Sequence, residues 1–218
     1  AEERYRGDDA LWLFNAVPVY VAETGDIGFY DKVLPFSDEG EATVFEHLRR
    51  ALAFNWARRG ANGLPAGIAA DCNDCLKLGE KGESLFLGFQ LRFALTTYME
   101  IARQLQREEE ESWAGECLGV LDDHLEDAGW NGKWFVRAYR EDGQVIGSWE
   151  DEDAESRIFL NAQAWAVLSG FAEGERAQQI MDQVCERLAT PFGLMLCSPP
   201  YRSVPVEVIR AVLLNPGH

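Results

Sequence analysis

From Ser84 to Gln106 the apolar residues fall on a helical beat: Leu87, Leu91, Ala94, Tyr98, Ile101 and Leu105 make one stripe. The first half also carries Leu85, Phe86, Phe89 and Phe93. That end is expected to be buried on two sides, while the second half surfaces. With the other helical segments of the chain, it reads as part of an all-α architecture of helical hairpins, with its function in the loops at one end.

The deep end is entered from Ala69–Glu83, AADCNDCLKLGEKGE. This stretch is too polar for a core and too short for a domain linker. A long acid-bearing loop held between packed helices is a common way to build a site.

Other segments agree. Leu11–Val21 is apolar nearly all round and predicts a mostly buried helix, with Asp8 or Asp9 as its N-cap, a kink or break at Pro18 and an end at Gly25. Ile27–Ser37 reads as a connector. Thr43–Arg59 predicts a helix through Phe45, Leu48, Leu52 and Trp56, closed by Gly60, Gly63 and Pro65. Glu108–Asp127 is a further amphipathic helix. Trp134–Tyr139, Asp142-Gly143 and Gln144–Ser148 predict a β-hairpin. Arg157–Phe171 and Glu175–Leu188 are two more helices, and a short one is expected beyond Pro205. The sum is about six or seven helices and one hairpin, with short connections that imply antiparallel neighbours.

The formal charge of −17 excludes a broad basic face, so neither nucleic acid nor an anionic membrane surface is an expected partner. No apolar run approaches the roughly 20 residues of a membrane span. The five cysteines, Cys72, Cys75, Cys117, Cys185 and Cys197, are odd in number and widely spread. They do not suggest a disulfide framework, and a cytoplasmic location is expected.

Four groups could carry chemistry. Cys72-Asn73-Asp74-Cys75 is formally a CxxC, but no second pair or close histidines complete a zinc set, and no βαβ context supports redox work. Two unrelated thiols is the plainer reading. Asp71 and Asp74 are either loop carboxylates bonding their own backbone or an acid able to protonate a leaving oxygen. Asp8 and Asp9 are either a helix cap or a pair of acceptors for sugar hydroxyls. The seven tryptophans are either core or stacking platforms for sugars.

Six blocks resemble glycoside hydrolase family 94, the cellobiose, chitobiose and laminaribiose phosphorylases. They are Gly7-Asp-Asp-Ala-Leu-Trp-Leu13, Glu41-Ala-Thr-Val-Phe-Glu-His47, Ala70-Asp-Cys-Asn-Asp-Cys-Leu76, Lys81-Gly-Glu-Ser84, Ile158-Phe-Leu-Asn-Ala-Gln-Ala-Trp165 and Asn215-Pro-Gly-His218. They occur in the family's order along essentially the whole chain. The resemblance implies part of an (α/α)6 barrel with one β-hairpin insertion. It implies inverting phosphorolysis of a β-linked disaccharide or short oligosaccharide to an α-sugar 1-phosphate, without a cofactor and with inorganic phosphate as co-substrate. In the family's D-W-N-D block the last aspartate is the general acid, which falls on Asp74. Substrate-binding positions fall on Asp8, Asp9, Asp71, Cys72 and Gln163, and on Arg6 or Arg4. Dimers are frequent in the family, so a homodimer is an expected assembly.

Three departures qualify the resemblance. Cys72 stands where the family usually has Trp, and Ala162 where it has Pro. The chain also lacks the later Lys-Glu-Asn block with the phosphate-binding residues, an N-terminal β-sandwich and the remainder of the barrel. These residues alone are therefore expected to be inactive. A non-catalytic carbohydrate-binding or scaffold protein, or an inverting hydrolase on the same barrel, are the rival readings.

Overall fold

The computed structural model describes residues 6–68, 70–150 and 155–203. Its frame is six α-helices: α1 Leu13–Thr24, α2 Val44–Ala57, α3 Leu85–Gln104, α4 Glu108–Gly129, α5 Leu160–Leu168 and α6 Gly174–Leu188. α3 lies at the centre and packs on α1, α2, α4 and α5. Every residue from Leu85 to Leu91 is buried, so the end of α3 next to the polar loop is the deep one, as its composition requires. Edge-to-face and tilted contacts among Phe89, Phe135 and Phe171, and between Phe86 and Trp165, fill the space around it.

Local chemistry sets the helix ends. Thr43 caps α2 in a capping box: its Oγ1 accepts from the Glu46 N–H, and the Glu46 carboxylate accepts from the Thr43 N–H. Such a cap is worth about 0.5–2 kcal/mol. Ser84 caps α3, its Oγ accepting from the Leu87 N–H. α3 turns back into α4 through Gln106, whose φ of +56° reverses the chain. Among the described residues, no helix is long and apolar enough to cross a membrane.

Among the described residues, four small antiparallel sheets pin the loops. β1 (Val33–Pro35) pairs with β2 (Glu41–Thr43). β3 (Glu83–Ser84), β4 (Ala138–Tyr139) and β5 (Val145–Ile146) form a three-stranded sheet, with Ser84 opposite Ala138 and Ala138 opposite Ile146. β6 (Ile158–Phe159), β7 (Ala189–Thr190), β8 (Gly193–Leu194) and β9 (Cys197–Ser198) complete the set as β6–β9 and β7–β8 pairs.

The structure corrects several expectations. The connector after Gly25 contains a 3-10 turn, Ile27–Asp31, followed by the β1 strand. The helix expected from Arg157 starts at Leu160, because Ile158 and Phe159 pair with β9. The hairpin is not alone, and it carries β3 as a third strand. Pro18 lies inside α1 without dividing it. Only Phe14 and Val21 of α1 are buried, while Leu13, Val19 and Tyr20 are exposed, because the described neighbours cover one side of this helix. The short helix beyond Pro205, the Asn215–His218 block and Arg4 lie outside the described residues.

Candidate active site

The polar loop is organised from within by buried carboxylates. Glu83 is 2% exposed and accepts from the Asn62 N–H, the Asn62 side-chain amide and the Leu64 N–H at 2.7–3.2 Å. These donors hold the turn that follows α2 against the start of α3. Gly60 is required here: a Cβ would stand 2.4 Å from the Glu83 Cγ. At Gly82 a Cβ would stand 2.3 Å from the Leu78 carbonyl oxygen, so the loop closes on itself only without a side chain.

Asp71 is the second internal anchor. Arg137 Nη2 donates to both Asp71 oxygens at 2.8 and 2.7 Å, and Ser84 Oγ donates to Oδ2 at 2.7 Å. Arg137 Nη1 reaches Ser84 Oγ at 2.9 Å, closing a three-membered network around the first turn of α3. Asp71 Oδ1 also accepts from the Asn73 N–H at 2.9 Å, and Asn73 Oδ1 accepts from the Cys75 N–H at 3.0 Å. Asp71 therefore shapes the loop and shows its carboxylate to no solvent.

Asp74 differs. It sits at the open surface, and its carboxylate accepts from Arg6 Nη2 at 2.8 Å, with side-chain exposures of 50% for Arg6 and 61% for Asp74. The Gly7 N–H donates to the Ala70 carbonyl, and Arg6 bridges Ile68, so the first block of the sequence is stitched to this loop.

Asp8 belongs to the same neighbourhood. It is buried, and its Oδ2 accepts from Trp12 Nε1 at 2.9 Å instead of capping a helix. Its other oxygen, Oδ1, is buried with no hydrogen-bond partner among the described residues. Burial raises the carboxyl above the usual aspartate range, with smaller contributions from Asp71 and Asp9, against the Trp12 bond. Asp9 is exposed in the 3-10 turn Asp9–Trp12. Trp12 is half-exposed and meets Trp165 edge-on at 5.7 Å.

Cys72 reaches the surface as a residue, yet its sulfur is crowded. Burial first, and then the Asp71 carboxylate, push the thiol up to about 11. The Asn161 amide donates to Cys72 Sγ at 3.2 Å, and Asn161 Oδ1 accepts from the Ala162 N–H at 2.9 Å. Asn161 thus bridges Cys72 and the Ala162 backbone. Cys72 and Cys75 are both free thiols, and among the described residues no three His, Cys, Asp or Glu side chains gather as a metal set.

Gln163 stands apart from these groups. It is fully buried and spends its amide on backbone, accepting from the Phe135 N–H and donating to the Phe135 and Phe159 carbonyls. It ties α5 to the segment before β4 and has no free polar atom for a ligand. The contacts formed are Arg6 with Asp74, Asn161 with Cys72 and Trp12 with Asp8, and Asp8 lies within electrostatic reach of Cys72 and Asp71.

The catalytic-domain model of the Glycosyl hydrolase 94 superfamily matches residues 2–218. The chain belongs to this family. Solabiose phosphorylase of Paenibacillus borealis is 36% identical over 216 residues, covering 96% of this chain and 28% of its own length. N,N'-diacetylchitobiose phosphorylase of Vibrio proteolyticus is 37% identical over 196 residues, covering 89% of this chain and 24% of its own length. Cyclic beta-(1,2)-glucan synthase NdvB of Rhizobium meliloti is 35% identical over 88% of this chain and 8% of that protein. The chain thus spans about a quarter of the two phosphorylases. A crystal structure of the family 78 rhamnosidase of Bacillus sp. GL1 superposes with a TM-score of 0.63 at 18% identity, over 87% of this chain and 18% of that one. That likeness is one of fold.

Sequence reasoning missed one anchoring residue of this family 94 segment, Arg137. Arg137 left a signal: it is a lone charge inside the apolar run Trp134–Tyr139. Such a residue needs a buried partner, and Asp71 is that partner.

Proposed function

We propose that this chain is the acid-bearing part of an (α/α)6-barrel, inverting glycoside phosphorylase, with Asp74 as general acid. The observation that carries the reading is the division of the loop. Asp71 and Glu83 are consumed by the fold, whereas Asp74 is offered at the surface, paired with Arg6. The names of the phosphorylase relatives support the reaction class.

In this reading a β-linked disaccharide or short oligosaccharide lies over Trp12, with Asp8 and Asp9 receiving hydroxyls of the non-reducing sugar. Arg6 exchanges Asp74 for the substrate, which frees the Asp74 carboxyl to carry a proton. Asp74 gives that proton to the glycosidic oxygen as the bond to the anomeric carbon breaks. Inorganic phosphate attacks the same carbon from the opposite face and leaves as α-sugar 1-phosphate. Phosphate arrives as an anion, so the second carboxylate that an inverting hydrolase needs to activate water has no task here. No cofactor takes part. A homodimer and a cytoplasmic location belong to the same proposal.

The test is a product assay of the full-length protein on a panel of β-linked disaccharides, with and without phosphate. Sugar 1-phosphate is expected, and only when phosphate is present. Equal turnover without phosphate would replace this reading with a hydrolase. Calorimetric sugar binding without turnover would replace it with a carbohydrate-binding protein.

A further inference from the structure

We infer that the β4–β5 hairpin is the positioning device of the acid loop and that Arg137 is its positioning residue, an assignment that rests on the reading of Asp74 as proton donor. The hairpin grips the loop on both sides of Asp74. Upstream, Arg137 holds both oxygens of Asp71, and the Asp71 carboxylate passes its orientation through the Asn73 N–H, and then Asn73 Oδ1, to the Cys75 N–H. Downstream, Arg140 Nη1 donates to the Lys77 carbonyl at 3.1 Å, and the Glu141 N–H donates to the Leu78 carbonyl at 2.8 Å. Asp74 is therefore bracketed by contacts from one hairpin. The hairpin is in turn registered on β3, where Ser84 stands opposite Ala138 and caps α3.

Arg137 is fully buried, between the rings of Phe86 and Phe159, each 5.8 Å from its guanidinium carbon. It cannot touch substrate. A buried ion pair is also a poor device for stability alone, since an apolar pair of equal volume often does as well. What this pair adds, with one nitrogen holding both carboxylate oxygens and the other holding Ser84, is a single geometry, passed along the loop that carries Asp74. A misplacement of about 1 Å at a reacting group costs on the order of 10²-fold in rate.

The experiment compares two substrates in the full-length protein: the disaccharide it turns over and the β-glycosyl fluoride of the same sugar, whose leaving group departs without a proton. Arg137→Lys is expected to lower kcat on the disaccharide by roughly 10–100-fold, with KM changed less than about threefold and fluoride turnover nearly intact. Arg140→Gln, at the partly exposed end of the grip, is expected to shift the ratio of the two rates the same way by about 2–10-fold. Asp74→Asn should show the same selectivity more deeply. Equal losses on both substrates, or full disaccharide activity in a folded Arg137→Lys protein, would overturn the inference. Should Arg137→Lys not fold, the Arg140→Gln ratio decides, and an unchanged ratio overturns it. Full activity of Asp74→Asn would overturn the acid assignment itself, a result distinguishable from failure of the hairpin's role.

Discussion

Two ion pairs three residues apart in one loop have opposite settings. Arg137–Asp71 has no solvent exposure on either side chain, whereas Arg6–Asp74 is 50% and 61% exposed. The distances are nearly the same, 2.7 and 2.8 Å. Distance therefore says little about what each pair does. In the buried pair each desolvated charge has the other as its counter-ion, and loss of either leaves an uncompensated charge in the core. In the exposed pair water competes for both partners, so the bond is worth at most about 1 kcal/mol and is easily traded for a ligand. The loop is fixed by its inner half so that its outer half can stay available.

The sharpest way to break this contrast is to make the same change on both sides. Asp71→Asn is expected to cost about 3–5 kcal/mol of stability, read as a lower denaturant midpoint, while Asp74→Asn leaves the midpoint nearly unchanged. Equal shifts in the two variants would erase the distinction. Next in size is Glu83→Gln, which replaces an acceptor of three N–H groups with a side chain that brings its own donors. It is expected to cost about 1–3 kcal/mol. A neutral result there would show that the turn after α2 holds without its anchor.

The smallest effect concerns Asp8, which is buried like Asp71 but has no cation paired with it among the described residues. Burial raises its carboxyl in the fold, so between its ordinary value of 3.8 and the raised one the folded state binds more protons than the unfolded state. Its contribution therefore favours folding at low pH and is lost as pH rises through that window. Asp8→Asn should flatten this part of the stability profile and lie within about 1 kcal/mol of the parent at pH 7. An unaltered profile would place Asp8 in water.

Much of the frame was legible because it rests on local pattern. The stripe Leu87–Leu105 marks α3, and the stripe Phe45–Trp56 marks α2, each to within a few residues of its observed ends. The hairpin signal at Asp142-Gly143 was equally local. The β1–β2 pair was missed because three-residue strands around Pro35 carry too little alternation to register. Gln163 was expected to touch substrate, since a motif ranks residues by kind and cannot tell a polar group facing a ligand from one facing backbone. Arg137 was missed for a different reason. Its partner lies 66 residues upstream, and no window on the sequence spans that distance.

That separation also orders events in time. Asp71 leaves the ribosome 66 residues before Arg137. At roughly 5–20 residues per second, the nascent chain spends several seconds with α3 made and its capping network incomplete. Loop closure over such a span comes late because its entropy must be met before the contact repays it. The acid loop acquires its inner anchor only once Arg137 has emerged, with α5 and α6 still to follow.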